Sequence, residues 1–361
     1  MGVAKSITEA KSLSGKTVLV RVDTNVDIDK DKVFDDTRLA FSKKTIDFIL
    51  EKGGDVVVIG HLGRPGGKED SEFSLLPVAK WLANAYSGVI TPKDFGKFKG
   101  WEITDRLGLL ENIRFYPEEE KNDSEFSREL ALLGDLFVNE GFSVSHRAHA
   151  SVVGITKFLP SYAGIHMMQE IQALSKVLTD PERPLAVVIG GAKIETKLPL
   201  VDMMSTVADY VLVGGIIAEE HAQLEESNNS APVSKKAQLI VATLTPDKTD
   251  IDEKSVARFI QIFERSKMIV WNGPLGFIRK QRDRIGSDTE AGTRAIATAL
   301  TQSSAYTIVG GGDTLSYLSE LGILDKFSFV STGGGAMLEF LSGEKLPGIT
   351  ALEECATVLT L

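Results

Sequence analysis

The chain predicts an α/β protein of two domains, each built on a parallel sheet flanked by helices. Three observations carry that expectation. Its 361 residues exceed what one hydrophobic core usually covers. Short β-branched runs alternate with segments of helical period, the pattern of βαβ units. Four apolar runs in the second half break into glycines and then resume as helix-like segments. They read VVIGGAKIETK (Val187 to Lys197), LVGGIIAEEH (Leu212 to His221), IVGGGDTLSYL (Ile308 to Leu318) and FVSTGGGAMLEF (Phe329 to Phe340). Strand, glycine turn and helix N-terminus in that order present unpaired N–H groups and a positive dipole end to an anion.

The strands follow from near-continuous apolar runs, which fit burial on both faces of a sheet. In the first half they are KTVLVRVD (Lys16 to Asp23), DVVVIGH (Asp55 to His61) and LFVNEGF (Leu136 to Phe142). PLAVVIGG (Pro184 to Gly191), YVLVGG (Tyr210 to Gly215), KMIVWNG (Lys267 to Gly273), AYTIVGG (Ala305 to Gly311) and FSFVSTGG (Phe327 to Gly334) follow in the second. LAFSKKTIDFILEKG (Leu39 to Gly53) and TEAGTRAIATALTQS (Thr289 to Ser303) have helical period. MMQEIQALSKVL (Met167 to Leu178) reads as a helix with no strand before it and breaker-rich TDPERP after it. It therefore marks the domain boundary. LEESNNSAPVSKK (Leu224 to Lys236) reads as an exposed polar loop.

A net charge of −10 argues against nucleic acid as the main partner. Anions can still bind where positive groups cluster. The single cysteine, Cys355, excludes an intrachain disulfide and suits a reducing cytosol. No run of about 18 apolar residues indicates a membrane span, and no apolar h-region indicates secretion.

In the first half, chemistry-bearing loops follow strands: RVDTNVD (Arg21 to Asp27), HLGRPGG (His61 to Gly67), ENIRF (Glu111 to Phe115) and SHRAHAS (Ser145 to Ser151). Open α/β sheets bind ligands at such C-terminal strand ends. Arg38, Arg64, Arg114 and Arg147 would form a pocket for a small, multiply anionic substrate, since guanidinium forks match carboxylate and phosphate. Arg21, inside its strand, reads as structural. His61 and His149 read equally as ligands or as satisfied loop histidines, and no pair has metal-site spacing. The P-loop pattern fails because its first glycine position is Ala10. GxGxxG fails at Leu315 and Leu338, which disfavours a nicotinamide-dependent oxidoreductase. The protein-kinase HRD and DFG set is missing as well.

RVDTNVD, HLGRP, ENIRF, HRAHAS, GGAKIETK, WNGPLG, GGGDT and STGGGAMLEFL stand in the order they have in phosphoglycerate kinases, from Arg21 to about Leu341. The chain resembles that family over nearly its whole length. The resemblance implies two Rossmann-like lobes with parallel sheets facing across a cleft and joined by an interdomain helix. An N-terminal phosphoglycerate-binding lobe would span 1–165, a hinge helix 166–183, and a nucleotide-binding lobe 184–346, with the tail 347–361 on the first lobe. By the same resemblance, Asp23, Thr24, Asn25, Arg38, His61, Leu62, Gly63, Arg64, Arg114 and Arg147 match the phosphoglycerate site. Lys193, Lys197, Asn272, Pro274, Gly311, Gly312, Asp313 and Thr314 match the nucleotide site, with Asp313 on Mg²⁺. Arg38, Lys193 and Gly334 match the groups around the transferred phosphoryl.

The implied reaction moves a phosphoryl group reversibly between 1,3-bisphosphoglycerate and ADP, giving 3-phosphoglycerate and ATP, in the cytoplasm and as a monomer. Its transition state is loose, so positioning and charge stabilisation dominate; no general base is needed, because the attacking carboxylate or nucleotide oxygen is already ionised. Three stretches depart from the family pattern. Glu219, Glu220 and His221 stand near the usual nucleotide wall, the 223–267 stretch is short, and Arg279 replaces a glutamate that commonly meets the ribose. Lys280, Arg282 and Arg284 follow it in a basic loop that reads as solvated or as a phosphate contact. The alternative that these departures raise is a catalytically silent relative acting as a binding protein.

Overall fold

The computed structural model describes residues 4–191, 194–215, 217, 236–278 and 289–358. The chain divides into two compact units, Met1–Ile171 with Lys345–Leu361, and Gln172–Glu344. It passes from the first to the second inside one helix.

In the first unit β1 (Thr17–Arg21) is followed by a small hairpin, β2 (Ile28–Asp29) and β3 (Lys32–Val33), and by helix α1 (Thr37–Glu51). Then come β4 (Asp55–Ile59), α2 (Leu76–Ala85), β5 (Thr91–Phe95), β6 (Phe98–Thr104) and β7 (Leu107–Leu110). The rest is α3 (Pro117–Glu120), α4 (Ser124–Ala131), β8 (Leu136–Asn139), β9 (Ser161–Ala163) and the first half of α5 (Ile165–Thr179). The sheet order is β5-β6-β7-β4-β1-β8-β9. β7, β4, β1, β8 and β9 run parallel, whereas β5 pairs antiparallel with β6, and β6 with β7. The expectation of a purely parallel sheet is thus corrected at this edge. TPKDF of β5 is polar and largely exposed, as an edge strand can be, and gave no apolar run to read. β9 also precedes α5, so that helix does have a strand before it; three residues are too few to show a pattern.

Burial on both faces explains why β1 is continuously apolar. Val18 and Val20 point into one core with Leu39, Ile46 and Ile49 of α1. Leu19 points into another with Phe126 and Leu130 of α4. Each such side chain contributes about 1.5–3 kcal/mol when fully buried.

The second unit contains β10 (Leu185–Ile189), α6 (Ile194–Val207), β11 (Tyr210–Val213), β12 (Gln238–Val241) and α7 (Glu253–Phe263). β13 (Met268–Asn272), α8 (Ala291–Thr301), β14 (Tyr306–Gly310), α9 (Gly312–Glu320), β15 (Phe329–Ser331) and α10 (Gly335–Leu341) complete it. Its described strands are all parallel, in the order β12-β11-β10-β13-β14-β15. In chain order that is 3-2-1-4-5-6, the doubly wound arrangement, whose crevice lies where the order reverses. Here that point is between β10 and β13. In the first unit the corresponding point lies between β1 and β8. The last helix, α11 (Pro347–Val358), belongs to the first unit, where Gly348 N donates to Ser145 O at 2.8 Å. Among the described residues no helix is long and apolar enough to cross a membrane. Lys193, Glu219, Glu220, His221, Arg279, Lys280, Arg282, Arg284 and nearly all of the 224–236 loop lie outside the described residues.

Candidate active site

The loops that leave β1, β4, β7 and β8 converge at the reversal point of the first sheet. Asp23, two residues past β1, is 4% exposed. Its Oδ2 accepts from Arg38 Nη1 at 2.5 Å and from Ser143 Oγ at 2.6 Å, and its Oδ1 from Asn25 N at 3.0 Å. The loop after β1 is thereby bound to α1 and to the loop after β8. The loop after β4 is tied in by Thr24 Oγ1 donating to His61 O at 2.7 Å and Gly63 N donating to Asn25 Oδ1 at 2.8 Å. Leu62 is buried, and its carbonyl accepts from Asn112 Nδ2 at 2.7 Å. Arg114, in a 3-10 turn after β7, donates to Gly63 O at 2.9 Å.

The chemistry of this corner is set by buried positive charge. Arg21 is fully buried; it donates to Ser151 Oγ, to Val22 O and, at 3.0 Å, to His61 Nδ1. An arginine only donates, so His61 Nδ1 accepts and the ring proton sits on Nε2. Burial, then Arg21 and Arg114, hold His61 well below its usual pKa, so it is neutral at pH 7. Burial pulls Arg114 down to about 10, with Arg21 and Arg147 adding repulsion. It remains charged at neutral pH, and an incoming dianion would relieve that repulsion. Asp23 has the opposite effect on Arg38, raising its pKa. Arg64 is exposed and Arg147 half-buried, and neither guanidinium has a protein partner among the described residues.

Sequence reasoning missed two supports. Arg21, read as structural, fixes the His61 tautomer from inside β1. Ser143, on the far side of the chain from Asp23, buttresses its carboxylate, and no motif marks it. From the sequence, His149 reads equally as a ligand or as a satisfied loop histidine. The structure buries it with Nδ1 3.7 Å from Glu119 Oε1 and without a hydrogen-bond partner among the described residues. Burial, then Arg114 and Arg21, push it down to about 3. Unfolded, it titrates near 6.5. Between those values the unfolded chain holds the extra proton, so this stabilisation is complete above pH 6.5 and is lost as pH falls toward 3. Thermal melts should therefore lose more between pH 7.5 and 5.0 in the parent than in His149→Gln. Equal losses would show that His149 is not the titrating group.

In the second unit the glycine turns meet at the β10/β13 point. Gly191 N donates to Pro274 O at 2.7 Å and Gly190 N to Asn272 O at 2.9 Å. Lys197, 6% exposed, donates to Asn272 Oδ1 and, at 3.4 Å, to Asn272 O. Asn272 Nδ2 in turn reaches Met337 Sδ of α10 at 3.3 Å. Lys197, Asn272 and Pro274 are therefore brought together with the start of α10. α9 and α10 begin at glycines of positive φ, Gly311 (98°) and Gly334 (53°), which offer no side-chain cap. Their first amides stay open to a ligand. Asp313, in the first turn of α9 after Gly312, is exposed and unpaired among the described residues. Thr314 behind it is buried, and its Oγ1 has no hydrogen-bond partner among the described residues. Among the described residues no three metal-ligating side chains gather. One free carboxylate beside open helix-start amides fits Mg²⁺, which takes one or two carboxylates together with phosphate oxygens.

The family model described as phosphoglycerate kinase matches residues 7–242 and 222–344. The phosphoglycerate kinase of Herpetosiphon aurantiacus is 37% identical over 388 positions, covering 94% of this chain and 97% of the relative. That of Bartonella bacilliformis is 38% identical over 394 positions, covering 96% and 98%. Both alignments run to more positions than this chain has residues, so the relatives carry segments it lacks. The structure of phosphoglycerate kinase from Coxiella burnetii superposes with a TM-score of 0.80 at 31% identity, covering 98% of this chain and all of that one. The Pyrococcus horikoshii enzyme shares the fold, with a TM-score of 0.78 at 24% identity and coverage of 98% and 99%. A chain matched by one family model through most of its length, and aligned nearly end to end with relatives at 37–38% identity, belongs to the phosphoglycerate kinase family.

Proposed function

We propose that the two units divide the substrates of one phosphoryl transfer, phosphoglycerate on the first and nucleotide on the second. As a phosphoglycerate kinase, the protein transfers a phosphoryl group reversibly between 1,3-bisphosphoglycerate and ADP, yielding 3-phosphoglycerate and ATP in glycolysis. The observation that carries the site assignment is the cluster at the β1/β8 reversal point. There Arg114 and Arg38 both act on a neutral His61, Arg147 lies close enough to Arg114 to repel it, and Arg64 follows His61 in the same loop. Arg64, Arg114 and Arg147 hold the substrate's phosphate and carboxylate, and His61 offers its Nε2–H. Asp23 and Asn25 fix the loops and accept substrate hydroxyls.

Arg38, Lys193 and the amides at Gly334 are the groups assigned to the transferred phosphoryl. Charge on its equatorial oxygens is what such groups stabilise. Lys197, Asn272, Pro274 and the Gly311–Thr314 turn hold the nucleotide phosphates. Mg²⁺, held by Asp313, neutralises phosphate charge when the nucleotide is bound. The attacking oxygen is already ionised, so no residue is needed as a base. Residues 1–165 with the tail 347–361 form the phosphoglycerate lobe in this reading, 166–183 the connecting hinge, and 184–346 the nucleotide lobe. The units Met1–Ile171 with Lys345–Leu361, and Gln172–Glu344, support that division. The reaction is placed in the cytoplasm, with the protein a monomer, where the free thiol of Cys355 stays reduced.

A silent relative that only binds has no support among these observations. A coupled assay with 3-phosphoglycerate, Mg²⁺ and a panel of ATP, GTP and other nucleotides should give turnover with ATP. Binding of 3-phosphoglycerate without turnover on any donor would reverse the conclusion.

A further inference from the structure

A buried carboxylate outside the substrate loops joins three elements of the first unit. Glu140, directly after β8, is 4% exposed. Its Oε1 accepts from Thr45 Oγ1 at 2.7 Å and from His166 N at 3.1 Å, and its Oε2 from Met167 N at 2.9 Å. Thr45 Oγ1 in turn accepts from Ile165 N at 2.8 Å. The first three amides of α5, which the helix cannot satisfy internally, thus go to side chains remote in sequence. Gly164, at the cap position, has no side-chain oxygen to offer. A Cβ there would lie 2.0 Å from Glu140 Oε2, so the glycine makes room for the carboxylate.

The same residue sits between the groups assigned to the substrate. Thr45 lies on α1 seven residues, about two turns, after Arg38. Beyond Glu140 the chain runs to Ser143, whose hydroxyl holds Asp23, the partner of Arg38, and then to Arg147. We propose that Glu140 is a positioning residue for the phosphoryl transfer, anchoring α1 and α5 to the end of β8 and so setting where Arg38 and Arg147 point. This rests on the reading of those arginines as substrate ligands.

Each neighbour gives Glu140 a hydrogen, so the arrangement suits the ionised carboxylate. Protonation would force Thr45 to turn its hydroxyl away. Burial holds Glu140 up at about 7, opposed by the Met167 amide, His166 and Thr45. His166, on α5, is the titratable neighbour facing it; α1 presents the uncharged Thr45. The productive arrangement should therefore be lost as pH falls through about 7.

Glu140→Gln in the full chain, assayed at saturating nucleotide, should lower kcat roughly tenfold or more. KM for 3-phosphoglycerate should change by a smaller factor than kcat, because of the three arginines assigned to holding that substrate only Arg147 is carried on the segment that Glu140 anchors. Its kcat–pH profile should also lack the parent's acid limb near 7, whereas a limb due to substrate phosphate or the histidines would remain in both. A kcat within twofold of the parent, or an unchanged acid limb, overturns the proposal. Should the variant not fold, Thr45→Val replaces it. Losing one donor should raise the acid limb and lower kcat, Thr45→Ser should restore both, and an unmoved limb overturns the idea. If Arg38→Ala keeps activity, the site assignment itself fails. If Arg38→Ala collapses while Glu140→Gln does not, only this inference fails.

Discussion

Replacing Arg38 by alanine should cut turnover by about 10²–10³-fold, the cost of removing one preorganised donor from a developing anion. The fold should survive. Asp23 would lose one partner but keep Ser143 Oγ at 2.6 Å and Asn25 N at 3.0 Å, so no buried carboxylate is left bare. The measurements are kcat in the coupled assay and a thermal melt on the same preparation. Near-normal kcat would remove Arg38 from the transition state. A melt lowered as much as a core truncation lowers it would mean that the Asp23–Arg38 pair is structural. Arg38→Lys should recover only part of the loss, since an ammonium is a point charge without the planar fork.

The second large effect falls on stability. Gly273 has φ of 95°. A Cβ there would lie 2.1 Å from Gly190 O and 2.5 Å from Gly190 C, both backbone atoms. No rotamer relieves such a contact. Gly273→Ala should therefore combine left-handed strain with overpacking, about 2–5 kcal/mol together. It should also part β10 from β13 where Lys197 meets Asn272. Gly322, with φ of 66° and nothing within 4 Å of a built Cβ, is the control. Its alanine variant bears the strain alone, about 1–2 kcal/mol. Denaturant midpoints compare the two, and equal shifts would show that the β10/β13 approach is not tight.

The glycine turns of the second unit were legible for a physical reason: helix starts with open backbone amides favour glycine, and runs such as Gly310–Gly312 show them in a few consecutive residues. The departing stretches on the base and ribose side, 219–221 and 279–284, lie outside the described residues. In the first unit the loops themselves were legible, since Asp23, His61, Arg114 and Arg147 follow strands whose apolar runs are plain. What those residues do to one another was not. The proton on His61 Nε2 depends on Arg21, forty residues away and inside a strand. Ser143 supports Asp23 across a separation of 120.

The sequence by itself determined the alternation of strand and helix, the glycine turns and the residue types at the strand ends. Each is local, set by side-chain period or backbone freedom within a few residues. Tertiary structure alone decided the antiparallel edge made by β5 and β6, the charge state of His61 and His149, and the capping of α5 by Glu140 and Thr45. Those depend on desolvation and on hydrogen bonds between distant segments, as where Thr45 meets Glu140 ninety-five residues on. Neither quantity exists until the chain has closed around them.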